Sequence, residues 1–192
     1  IVPVSGGAAV YNNSWDITAD ADAITTISKS MTVTEAKLWN IDDPNLYECV
    51  VTISGGDKAD SQSENFGFRV FEARENDNLY FNNKRVRYRS AIDWGFYAVS
   101  GYYATDEMAH KSVQNAKDIG HNQINFHRTI GEPLVMKYAD ELGLYLYEEP
   151  GAFHAGEQYY EVFDSTFGGD IMYEKVRRMV IRDRNHPSLV QI

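Results

Sequence analysis

The chain has 192 residues, 43% hydrophobic and 24% charged, enough to bury a globular core in one large or two small domains. Its formal net charge of -10 argues against nucleic acid or an anionic membrane as partner, because both are gripped by excess Lys and Arg. A lone cysteine, Cys49, excludes an internal disulfide, and no apolar run is long enough to span a bilayer as a helix.

The first residues, Ile-Val-Pro-Val-Ser, carry neither a starting Met nor the charged and apolar blocks of a leader, so more chain is expected upstream. Residues 1–73 then read as all-β. Ala8 to Tyr11, Ile24 to Ile27, Ser30 to Thr34 and Tyr47 to Ile53 are short, partly alternating runs separated by Asn, Asp, Gly and Ser, and Phe66 to Val70 supplies one more. About five strands predict a partial β-sandwich, fewer than the roughly seven of an immunoglobulin-like domain. Cys49 sits inside an apolar run and reads as a small packed hydrophobe. Asp16, Asp20 and Asp22 lack the Gly and closing Glu of a calcium loop.

The remainder, residues 74–192, changes period. Leu79 to Val86 predicts a hairpin turned by Asn82-Asn83, leading into a strand that runs through Ile92 with Arg85, Arg87 and Arg89 alternating along it. That alternation predicts either an edge or arginines paired inward with carboxylates. A helix over 106–119 follows, N-capped by Thr105 and closed by Gly120, with Met108, Ser112, Val113, Ala116 and Ile119 inward. Ile124 to Phe126 is a strand, Glu132-Pro133 opens a second helix with Leu134, Val135, Tyr138 and Leu142 buried, and Leu144 to Tyr147 is another strand. Residues 150–169 predict a long loop holding Phe153, Tyr159, Tyr160, Phe163 and Phe167, and Asp170 is expected to cap a third helix with Met172, Val176, Met179 and Val180 inward. Arg177, Arg178, Arg182 and Arg184 read as its solvated face, and Ser188 to Ile192 begins a further strand.

Strand, helix, strand in repetition predicts parallel strands whose C-terminal ends share one rim. His127 and Arg128 follow one strand, Glu148 and Glu149 another, and Asp93 and Trp94 a third. These six are the candidate binding residues. Trp94 suits either stacking on a flat apolar face or the core, Asp93 either binding hydroxyls or an ion pair, and the two glutamates either a site or a solvated loop. No His-x-x-x-His or Glu-x-x-His spacing joins the strand-end His and Glu residues, so neither a metal nor a cofactor is expected. The fold class is therefore multidomain β plus α/β: a partial immunoglobulin-like sandwich over 1–73, then the first half of a (β/α)8 TIM barrel over 74–192. Three βα units and a fourth strand cannot close eight. The open edges at 86–92 and 188–192 predict self-association or a complementing segment.

Leu38-Trp39-Asn40 with Pro44-Asn45-Leu46-Tyr47, Gly67-Phe68-Arg69, Asn82-Asn83-Lys84 with Arg89-Ser90, Asn125-Phe126-His127, the run Ala139 to Tyr145 and Arg182 to Ser188 resemble, in order, signatures of glycoside hydrolase family 2. The resemblance covers about residues 38–192. It implies a carbohydrate substrate, retaining hydrolysis of O-glycosidic bonds by two carboxyl groups, and no cofactor. It also implies that both catalytic glutamates lie beyond Ile192, so that none of the catalytic residues is in this chain, which is expected to be inactive alone, and that Glu148 and Glu149 line the pocket. Ile92-Asp93-Trp94 and Arg128-Thr129 depart from the family pattern, so no sugar specificity carries over. The competing reading is a non-catalytic carbohydrate-binding or structural β-sandwich module.

Overall fold

A computed structural model describes residues 1–75, 78–97, 100–101, 103–151 and 166–192, the side chains of 166–168 excepted. Its strands form three sheets. In the first, β1 (Val2–Pro3), β2 (Tyr47–Gly55) and β3 (Lys58–Phe66) are antiparallel, with Tyr47 opposite Phe66 and Gly55 opposite Lys58. The strands expected at 8–11, 24–27 and 30–34 do not form. Ile24 is 99% exposed, and an apolar residue that buries nothing gives a strand no reason to pair. Phe66 ends β3, and Phe68 makes only a bridge to Leu38 instead of continuing as a strand. Cys49 is half-buried in β2.

The second sheet is a small meander of β4 (Phe71–Ala73), β5 (Leu79–Phe81) and β6 (Lys84–Val86). Asn82 and Asn83 both adopt positive φ, 47° and 69°, as the expected tight turn between β5 and β6 requires. The strand read through Ile92 is broken: β6 ends at Val86, and β7 (Ser90–Asp93) belongs to another sheet. Arg89 pairs with no carboxylate there; its Nε donates to the Gly120 carbonyl at 2.7 Å.

The third sheet is parallel, in the order β10 (Leu189–Gln191), β9 (Tyr145–Glu148), β8 (Gln123–Phe126), β7. Its helices are α1 (Asp106–Asp118), α2 (Pro133–Leu142) and α3 (Thr166–Asp183). Thr105 caps α1 by accepting from the Met108 N–H, and Glu132 caps α2 by accepting from the Val135 N–H with Pro133 in the first turn. The third helix starts at Thr166, so Asp170 lies inside it, and the aromatic loop falls largely outside the described residues. Ile119 is 72% exposed because it is the cap of α1, with Ala109 buried instead. Val180 is likewise exposed while Met179 is buried.

Strand alternation sorts the sheet's two faces. Ile124, Phe126, Leu146 and Leu189 pack with Ala109, Val113, Val135 and Ala139 of the helices. The opposite face carries Gln123, bonded to Gln191 at 3.0 Å, and Tyr145. Below Tyr145 a second cluster seals that face: Trp39, Phe81 and Val190, with ring centroids of Trp39 5.7 Å from Phe81 and 6.2 Å from Tyr145. Trp39 is fully buried and its Nε1 donates to the Asp140 carbonyl at 2.8 Å, which fastens the segment after the long irregular stretch to the end of α2. Gly143 closes α2 at φ 78°, and a Cβ there would lie 2.3 Å from the Ile41 carbonyl oxygen.

Candidate sugar-binding rim

At the C-terminal end of the parallel sheet, alternation continues past the strands. Phe126 and Glu148 are in register on the helix side, so His127 and Glu149, one residue on, emerge together on the other face. His127 Nδ1 lies 3.3 Å from Glu149 Oε1, and the second oxygen of Glu149 accepts from the Arg128 N–H at 2.8 Å. Arg128 holds φ at 61°, a left-handed conformation that an ordinary side chain disfavours, and the Glu149 bond fixes it. The Glu149 N–H in turn donates to the Thr129 carbonyl at 3.3 Å.

Trp94 follows β7 and stands edge-on to His127, ring centroids 4.8 Å apart, with the Arg128 guanidinium 5.8 Å from its ring. It is 43% exposed, so it is no core tryptophan. Asp93 turns the chain here: its Oδ1 accepts from the Gly95 N–H at 2.7 Å, and its carbonyl accepts from the His127 N–H at 2.9 Å. Asp93, Trp94, His127, Arg128 and Glu149 are therefore gathered on one rim.

Glu148 is not among them. It faces the helices with no exposed surface, Oε2 accepting from the Gly131 N–H at 3.1 Å and lying 3.9 Å from Arg182. Arg182 keeps 42% of its side chain exposed, as expected of a solvated face, and also donates to Asp183 at 2.6 Å and to the Gly131 carbonyl at 2.7 Å. Arg177 and Arg178 do lie on the surface, bonded to Glu174. The sequence assigned Gly131 no role, and it marked Arg182 only as a helix face and, with Asp183, as part of the Arg182 to Ser188 signature, without showing that they meet Glu148.

Residues 4–69 match the family model of glycosyl hydrolases family 2. The chain is 30% identical over 162 residues to a β-galactosidase of Thermoanaerobacterium thermosulfurigenes, covering 81% of this chain and 21% of that protein. It is 33% identical over 159 residues to a putative β-glucuronidase of Formosa agariphila, covering 80% and 18%. This chain is a homologue of the family 2 glycosyl hydrolases. A β-glucuronidase structure from Parabacteroides merdae superposes with a TM-score of 0.64 at 26% identity, covering 80% of this chain and 18% of that one. A family 2 member from Bacteroides cellulosilyticus, at 24% identity and TM-score 0.70, shows the shared fold. The chain thus spans about a fifth of the length of these relatives.

Proposed function

We propose that this chain forms part of a retaining β-glycosidase and that Asp93, Trp94, His127, Arg128 and Glu149 bind the sugar, with Glu148 supporting them from behind the sheet. In this reading residues 1–73 belong to an immunoglobulin-like domain and 74–192 to the first half of a TIM barrel, the seam lying between β4 and β5. The observation that carries it is the meeting of Trp94, His127 and Glu149 at one rim, a half-exposed aromatic face beside polar groups. A pyranose offers the same pairing, a flat C–H face and a ring of hydroxyls.

Binding does not imply turnover. Retaining hydrolysis needs two carboxyl groups about 5–5.5 Å apart, one to donate a proton and one to attack. Glu149 spends both oxygens on His127 and Arg128, and Glu148 has no surface through which to reach a substrate. The 192-residue chain is therefore expected to bind without hydrolysing.

Two assays test this. Calorimetry with methyl β-galactoside and methyl β-glucuronide should show saturable binding of at least one, with Kd on the order of 1 mM, equivalent to about 4 kcal/mol, abolished by Trp94→Ala. Incubation with the matching aryl glycosides should release no aglycone. Absence of binding to either sugar overturns the rim assignment, and turnover abolished by Glu149→Gln overturns the division between binding and hydrolysis.

A further inference from the structure

Behind the rim lies a group of charges that sugar binding does not use. Glu148 and Asp183 are 0% and 1% exposed, yet Glu148 Oε1 and Asp183 Oδ2 have no hydrogen-bond partner among the described residues. The Asp183 carboxylate acts on Glu148 as a neighbouring like charge. Arg182 supplies one positive charge, 2.6 Å from Asp183 and 3.9 Å from Glu148.

The charge balance is decisive. Two buried carboxylates against one guanidinium leave a net negative charge in a place that water does not reach, which a protein avoids by keeping a proton. One proton between the acids neutralises the group and lets an orphaned oxygen donate, so a single O–H satisfies what two acceptors cannot. Either carboxylate alone with Arg182 would need no proton.

We propose that Glu148 and Asp183 share one proton at weakly acidic pH, and that this protonated pair is a positioning device that fixes the end of β9, one residue before Glu149. The pair joins three pieces of chain. Glu148 ends β9, Asp183 ends α3, and the Gly131 N–H on Glu148, with Arg182 on the Gly131 carbonyl, ties in the turn before α2. The inference does not depend on what the rim binds.

Other groups around the pair set its direction. On Glu148 the charged and titratable neighbours are Asp183 and Arg182 of α3; the 131 turn contributes a backbone N–H, and α2 contributes only the Met136 sulfur, 3.8 Å from Arg182. On Asp183 they are Arg182, Glu148 and His186, whose N–H donates to the Asp183 carbonyl at 3.0 Å. Burial, then the Asp183 carboxylate, pushes the Glu148 carboxyl up to about 7. A carboxyl raised on folding contributes stability that is complete below its unfolded value and is lost as pH rises through its folded one. The pair therefore weakens between the ordinary carboxylate range and about 7. His186 loses stability in the same direction: burial lowers its pKa, but the hydrogen bond and charge of Asp140 raise it above the ordinary value.

Glu148→Gln separates the two. Glutamine keeps the protonated acid's shape, accepts from Gly131 and donates permanently, while His186 is untouched. Unfolding of the full 192-residue chain by urea is to be followed between about pH 5 and pH 8, read as the ratio of wild-type to E148Q unfolding constants. That ratio should rise with pH by at least about tenfold, the effect of one unit of pKa displacement. An unchanged ratio overturns the proposal. If E148Q does not fold, infrared spectroscopy of the wild type decides. A protonated carboxyl stretch persisting at about pH 6, where exposed acids are ionised, and lost in Asp183→Asn, supports the shared proton; its absence in the wild type overturns it.

Discussion

Arg128 shows how a single residue exchanges stability for position. A left-handed conformation is natural for glycine and strained for arginine, and here it is held by the Glu149 oxygen on the Arg128 N–H. Arg128→Gly is expected to leave stability within about 1 kcal/mol of wild type, since relief of strain offsets the freedom that glycine adds to the unfolded chain. The same variant should weaken sugar binding, because it removes the guanidinium beside Trp94. Urea denaturation alongside calorimetry checks both halves; a stable variant with undiminished affinity would remove Arg128 from the rim. His127 and Glu149 were legible in the sequence because both end apolar runs, whereas the split between Glu148 and Glu149 was not. Only the register of Phe126 with Glu148 shows which of two adjacent acids turns inward.

Elements announced by local chemistry were the ones readable in advance. Thr105, Glu132, Pro133 and Gly143 act within a turn of where they stand, so both helix starts and the stop of α2 follow from a few letters. The strands sought between residues 8 and 34 had no such markers. Their apolar runs were short, and pairing depends on a partner that sequence period does not name. Trp39 illustrates the reverse case, a residue in an irregular segment with large tertiary weight. Its ring is enclosed by Phe81 and Tyr145 and its N–H is used by Asp140. Trp39→Ala should cost about 3–5 kcal/mol by denaturant unfolding, most of the margin of a small domain. A loss below about 1 kcal/mol would mean that this cluster does not join the N-terminal half to the parallel sheet.

For the molecule as a whole, the two faces of the parallel sheet divide the labour. The helix side holds the core and the Glu148–Asp183 pair, and the other side is sealed at one end by Trp39, Phe81 and Tyr145 and carries polar groups at the other. Among the described residues, β7 and β10 are the outer strands of this sheet; from the count of βα units the sequence led to the expectation of self-association or a complementing segment at edges over 86–92 and 188–192. The same molecule offers a rival surface in the open groove along β2 and β3, lined by Cys49, Val51, Ile53, Gln62 and Glu64. The most direct measurement is therefore a map of backbone amide shifts in the 192-residue chain during titration with methyl β-galactoside and methyl β-glucuronide. Saturable shifts confined to Trp94, His127 to Thr129 and Glu149 are the result this account expects. Shifts that instead follow the β2–β3 groove, or none at the rim, would contradict it.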